Sequence, residues 1–406
     1  MSANRLTRFI VLALILGIAT GYGVHQFAHD TSGAIADTAA ILPSIFLRLI
    51  KMIIAPLVIS TLTVGIAKMG DIATVGRIGG KALAWFVFAS LISLTLGLAL
   101  VTVLEPGKAM HLPLPDLSAA SGVATDGLTL QGFISHMIPS SIVDAMARNE
   151  ILQIVVFSIF FGCAMAALGE RSKVMVDVLD TLAHIMLKVT GYVMWFAPIA
   201  VFGALASTIA KNGLDIVRVY GVFMAEFYFA MALLWCVLIA LGALIVGRPI
   251  LRLMRRISEP ALLAFSTASS EAAYPKTLEE LERFGCSNRV ASFVLPMGYS
   301  FNLDGSMLYC TFAVMFIAQV YGIELSIAQQ VAMLAILMLT SKGMAGVPRA
   351  SLVVISATLA QFHIPEAGLV LLLGIDHFLD MGRSATNVVG NSIATAVISK
   401  FECELK

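Results

Sequence analysis

The sequence predicts an all-α polytopic membrane protein, and three observations carry the prediction. Hydrophobic residues make up 59% of the chain and charged residues 13%, with a mean hydropathy of +0.93, whereas soluble domains carry about 25% charged residues. Several runs free of Asp, Glu, Lys and Arg reach the ~20 residues that a spanning helix needs. Beyond Gly247 the apolar segments are interrupted in their middles, and the last carries a line of polar side chains. A formal net charge of +1 gives no case for nucleic acid as a partner.

The charge-free runs include Phe9 to Ala28, Ala82 to Leu104, Ile151 to Gly169, Val189 to Ala210 and Phe227 to Gly247. The first resembles a signal peptide, but no small-residue cleavage site follows it, so it reads as an uncleaved first helix. With a cytoplasmic N-terminus bearing Arg5 and Arg8, the inner loops receive Lys68, Arg77 and Lys81, then Arg171 and Lys173, then Arg248, Arg252, Arg255 and Arg256. The outer loops receive only Lys108, Lys211 and Arg218. That bias predicts a multi-pass protein of the cell membrane with both termini in the cytoplasm. A polar stretch from Glu105 to about Ser140 reads as a mobile external loop. The cysteines (163, 236, 286, 310 and 403) are odd in number and lack motif spacing, so they read as apolar fillers or free thiols.

Three interruptions follow. The first is the small-polar tip from Phe265 to Pro275, the second is Asn302-Leu-Asp-Gly-Ser306, and the third is the tip from Thr340 to Pro348. Non-helical backbone at membrane depth survives only where it is buried in protein or lines a cavity. The arms around the first and third tips are too short to span alone, so each reads as a re-entrant hairpin. One lies before the broken helix and one after it, the placement an inverted repeat gives. A single break is ordinarily just a kink.

The final segment, DHFLDMGRSATNVVGN, carries Asp376, Asp380, Arg383, Asn387 and Asn391. At roughly 100° per residue these five side chains fall within an arc of about 80°. Charge at membrane depth is expensive and normally faces a polar cavity or a partner. Asp376 with Arg383 alone reads as a structural pair, but the whole face reads as a binding site or pathway.

At these residues the chain resembles the dicarboxylate/amino acid:cation symporter family, the glutamate transporter homologues, in its bacterial proton/glutamate–aspartate type. Asn302-Leu-Asp-Gly-Ser306 is similar to the family's Asn-Met-Asp-Gly-Thr. Ser269-Ser270, the Gly-Met-Ala-Gly-Val-Pro tip, Asp-Met-Gly-Arg-Ser-Ala-Thr-Asn at 380–387 and Leu47 to Pro56 match in order. The resemblance implies eight transmembrane helices and two hairpins in a homotrimer embedded in membrane lipid. It implies a scaffold (1–81 and 141–215) and an elevator-type transport domain (82–104 and 216–400), with 105–140 an external loop and 401–406 a cytoplasmic tail.

The resemblance also implies roles. Arg383 grips the substrate's side-chain carboxylate, Asp380 its amino group, and Asn387 with Ser269 and Ser270 its α-carboxylate. Ser306 and Ser384 lie near the substrate, and Gly346 and Val347 close over it. Dicarboxylate specialists of the family tend to lack the aspartate, so Asp380 favours glutamate or aspartate over C4-dicarboxylates. Four departures bear on the coupling ion and the tips. Asn391 replaces a sodium-ligating aspartate. Ala89-Ser90 stands where sodium-coupled relatives offer a hydroxyl pair. Arg349 sits at the second tip, while Ala268 replaces an arginine of the first.

An amide keeps an oxygen ligand but loses a charge that a hard cation needs. Proton coupling is therefore expected, with Ser90, Asn302, Asp304, Asp376, Asn391, Glu226 and Glu271 as coupling candidates. Sodium at Asn302, Asp304 and Asn391 is the alternative. Glu226 lies near a segment end, where a snorkelling residue is the simpler reading.

No cofactor is expected. Of seven histidines only His377 lies on the polar segment, and no phosphate loop, nucleophile elbow or paired histidine motif accompanies it, so an enzyme is not expected. Broken helices also build channels, but a channel needs no composite site for a small anionic substrate.

Overall fold

The computed structural model describes residues 3–27, 31–69, 72–109, 138–213, 215–341, 350–373 and 375–405. Among these residues the protein is helical, with no strand beyond an isolated bridge between Cys286 and Leu405. The principal helices are α1 (Ala3–Phe27), α2 (Ser32–Met69), α3 (Ile72–Leu104), α4 (Ile142–Arg148), α5 (Ile151–Leu168), α6 (Lys173–Val193), α7 (Ala197–Asn212) and α8 (Asp215–Val246). There follow α9 (Ile250–Thr267), α10 (Tyr274–Phe284), α11 (Asn288–Phe301), α12 (Asp304–Val320), α13 (Ile327–Thr340), α14 (Ala350–Gln361) and α15 (Asp376–Phe401). Most of the polar stretch after Glu105 and the tip between α13 and α14 lie outside the described residues.

Six stretches among the described residues are long and apolar enough to cross a membrane, including the compound stretch Ile151–Lys211 that joins α5, α6 and α7. The polar α15 is not among them. It is instead enclosed by the protein, buried without interruption from Leu379 to Ser399. Its neighbours are α8, α9, α11 and α12, with α3 closing over α12. A second group, α1, α2, α5, α6 and α7, packs on itself and meets the first mainly where α2 lies on α11.

Helix pairs in lipid gain little from the hydrophobic effect and depend on close packing. Phe223 and Phe227 of α8 meet Phe312 and Phe316 of α12, with Phe223 and Phe316 centroids 4.3 Å apart. Such pairs are worth about 0.5–1.5 kcal/mol each beyond the area they bury.

The first two breaks fall where the sequence puts them, and the third lies outside the described residues. Helix α9 stops at Thr267 because Ala268 turns left-handed at φ 50°, and the amides of Ala268 and Ser269 close back on Phe265 and Ala264. A 3-10 turn, Glu271–Ala273, then starts the return arm α10. Between α11 and α12 only Asn302 and Leu303 leave the helix. That short gap frees the amides at the start of α12 for the site below.

Candidate functional site

The five polar residues of the α15 face are all buried, each at 0–1% exposure. At its centre is Arg383, whose Nε lies 2.5 Å from Asp380 Oδ1. Its Nη1 donates to Ser306 Oγ at 3.1 Å and its Nη2 to Ser384 Oγ at 3.3 Å. A buried guanidinium is costly unless a counter-charge and hydrogen bonds surround it, and here both do. The expected structural pairing of Asp376 with Arg383 is replaced by Asp380–Arg383, while Asp376 Oδ1 accepts from Tyr309 Oη at 2.7 Å.

Asn387 completes this cluster from the next turn of α15. Its Oδ1 accepts from the amides of Gly305 (2.9 Å) and Ser306 (3.3 Å), and its Nδ2 donates to Ser306 Oγ at 3.1 Å. The side chain therefore caps α12. Only glycine fits at 305, because a Cβ there would strike the Arg383 carbonyl. Ser269 and Ser270 are buried at the hairpin tip, where Ser269 Oγ accepts from the Ala272 amide at 3.4 Å. Ser270 Oγ has no hydrogen-bond partner among the described residues. Gly346, Val347 and Arg349 lie outside the described residues.

The coupling candidates separate into two groups. Asn302, Asp304 and Asn391 converge: Asn302 Nδ2 donates to Asp304 Oδ2 at 3.0 Å and to Asn391 Oδ1 at 3.1 Å. Glycines make room for them, since a Cβ on Gly390 would strike Asp304 and one on Gly298 would strike Asn391. Ser90, Glu226 and Glu271 lie on other elements. Ser90 is buried on α3, and Glu226 is half-buried on α8 with Oε2 lacking a hydrogen-bond partner among the described residues. Glu271 lines a cavity of about 250 Å³ with Ser269 and, across from them on α2, Arg48 and Lys51.

Four contributors escape sequence reasoning. Ser93 of α3 donates to Asp304 Oδ1 at 3.2 Å. It lies one turn beyond Ala89, so a search for hydroxyls along that face, rather than at one position, finds it. Tyr309, already met at Asp376, is the second. Tyr228 donates to the Phe378 carbonyl at 2.5 Å, and Trp235 donates to Thr386 Oγ1 at 2.8 Å. These α8 residues hold the turns of α15 that carry Asp380, Arg383 and Asn387. Nothing in their spacing marks them.

Among the described residues no group of three His, Cys, Asp or Glu gathers as a metal site, and all five cysteines are free thiols. The chemistry on hand is recognition: a planar cation beside hydroxyl and amide groups suits a carboxylate.

Comparison with known proteins agrees. The sodium:dicarboxylate symporter family matches residues 6–401. A C4-dicarboxylate transport protein of Bacillus subtilis (strain 168) is 39% identical over 405 residues, covering 99% of this chain and 94% of the relative. Proteins of the same name from Geobacter sp. (strain M21) and Burkholderia ambifaria (strain MC40-6) are 40% and 41% identical, over 98% of this chain and 90% and 92% of the relatives. The protein is an integral membrane transporter rather than an enzyme, and the chain belongs to the sodium:dicarboxylate symporter family.

Proposed function

We propose that the protein imports four-carbon dicarboxylates by proton symport. One observation carries the substrate assignment: Arg383 is fully buried, yet both of its Nη groups rest on serine hydroxyls. A substrate carboxylate that displaces Ser306 and Ser384 gains a bidentate, charge-assisted grip. Ser269 and Ser270 offer hydroxyls to the second carboxylate, Asn387 holds the α12 start in place, and Gly346 and Val347 close the site. The names of the relatives support this substrate class.

Acidic amino acids, the substrates expected from Asp380, become the second reading. Asp380 favours them because a buried carboxylate is a ready acceptor for an ammonium group. Its close pairing with Arg383 in this structure favours the dicarboxylate, since the carboxylate is already engaged.

Proton coupling draws support from Asn391 and from Asn302. The Asn302 amide nitrogen sits between Asp304 and Asn391, where oxygens would have to converge on sodium. The two packing groups of helices support a scaffold and a moving transport domain. With the loop charges, the reading is an elevator-type homotrimer in the inner membrane with both termini in the cytoplasm.

Counterflow in proteoliposomes tests the substrate. Labelled succinate or malate should exchange against unlabelled succinate, and Asp380→Ser should spare that exchange. Exchange confined to aspartate and glutamate, and lost in Asp380→Ser, would establish the second reading. Uptake should respond to an inward pH gradient without sodium; an absolute sodium requirement would refute the coupling assignment and leave the substrate assignment standing.

A further inference from the structure

We propose that the start of α9 is a binding surface for the acidic headgroups of anionic phospholipids. The apolar stretch Tyr220–Val246 of α8 is 27 residues long, about 40 Å at 1.5 Å per residue. That length crosses the hydrocarbon core and ends at its boundary. The chain then turns at Gly247, φ 80°, and re-enters helix at Ile250. Arg248 therefore stands at the headgroup layer by the geometry of the span alone.

From there Arg248, in the turn just ahead of the helix, and Leu251, Arg252 and Arg255 on its first turns follow at intervals of three, one and three residues, and the latter three share one helical stripe. All four are exposed, Leu251 at 64%, while the opposite face (Ile250, Leu253, Ile257) is buried in the protein. Among the described residues none of these three arginines is held by a carboxylate. Their neighbour Arg256, by contrast, is tied to Glu280 at 3.4 Å. A leucine set between free guanidiniums at a membrane boundary matches a lipid in both parts: the apolar side chain meets the acyl region and the planar cations meet phosphate. A stripe that served solubility alone would not need an exposed leucine at its centre. Because α9 is one arm of the hairpin whose tip carries Ser269 and Ser270, headgroups bound at its base also act on the element nearest the substrate site.

The test uses the full-length protein purified from membranes doped with phosphatidylglycerol. Wild type should retain the lipid through detergent washing. Arg248→Gln/Arg252→Gln/Arg255→Gln should retain several-fold less, and the corresponding triple lysine variant should keep most of it. Retention by wild type should fall as salt is raised. In vesicles, initial uptake of labelled succinate by wild type should rise several-fold when phosphatidylglycerol is added to phosphatidylcholine, and the glutamine variant should show no such rise. Lipid retention needs no substrate, so it stands or falls apart from the dicarboxylate assignment. Equal retention by wild type and the glutamine variant would overturn the proposal. So would retention indifferent to salt, or displacement by millimolar glycerol phosphate, which would assign the stripe to soluble phosphate.

Discussion

The two hairpins are built from opposite materials. The arms of the first, α9 and α10, are clamped by charge: Lys276 Nζ reaches Glu279 at 3.0 Å, Glu280 at 3.3 Å and Glu259 at 3.9 Å. Arg256 and Arg283 extend the network to Glu280. Lys276, Glu259 and Glu280 keep only 13%, 8% and 6% of their side chains exposed. The arms of the second, α13 and α14, contain no charged residue. In α13 only Met333 and Leu337 are buried, and its start is fixed by a capping box between Ser326 and Gln329. The first hairpin thus holds its shape through partly desolvated ion pairs between its own arms. The second relies on its cap and on apolar contact with neighbours. The difference teaches that the arms of the two hairpins differ in stiffness, with ion pairs joining those of the first and apolar contact holding those of the second.

The largest test breaks the clamp. Lys276→Met leaves Glu259 buried without its cation, while Glu280 keeps Arg256 and Arg283; breaking a buried pair costs about 3–5 kcal/mol. Amide exchange should accelerate in both α9 and α10 and remain unchanged in α13 and α14. Unchanged exchange in the first hairpin would remove the distinction between the two.

The matching change in the second hairpin is gentler. Ser326→Ala deletes the side chain that accepts from the Gln329 amide at 3.3 Å, and loss of such a cap costs about 1 kcal/mol. Exchange should rise in the first turn of α13 alone. Acceleration that spreads into α10 would show the hairpins to be mechanically linked.

The smallest effect lies at the foot of the first hairpin. Beyond α15, Glu404 contacts Ser287 and Arg289, while Glu402 pairs with Arg77 at 2.8 Å and Lys81 at 2.7 Å. Burial alone would raise the Glu402 carboxyl, but hydrogen bonds and charge from Arg77 and Lys81 hold it below its ordinary value of 4.5. Its contribution is therefore complete above the ordinary value and is lost as pH falls through the lowered one. Because both cations are partly exposed, the effect should stay under about 1 kcal/mol. The protection factor of the Ser287 amide, bonded to the Glu404 carbonyl, should fall on acidification in wild type once the intrinsic pH dependence of exchange is divided out, and show no further pH step in Glu402→Gln. A step of equal size in that variant would place the titration elsewhere.

Much of this site was legible because helix geometry alone decides which residues share a face. Asp376, Asp380, Arg383, Asn387 and Asn391 needed only the angle per residue, and the breaks at Ala268 and Asn302 needed only residue chemistry. Partners were another matter. Whether Arg383 takes Asp380 or Asp376 depends on Tyr309, which claims Asp376 from a different helix. Ser93 meets Asp304 across 211 positions of chain, a separation that no local pattern encodes. The substrate reading turns on the same kind of partner: Asp380 taken alone is an acceptor for an ammonium group, whereas the fold places it against the guanidinium, which favours the proposed dicarboxylate.

The central claim is that Arg383 holds a carboxylate of a transported dicarboxylate. Vesicles loaded with unlabelled succinate and diluted into labelled succinate should show a transient overshoot of internal label with the wild-type protein. Arg383→Ala should abolish it, since truncating one partner of a buried charged contact costs about 2–5 kcal/mol. A full overshoot with folded Arg383→Ala, or none for any dicarboxylate or acidic amino acid with wild type, would contradict the account.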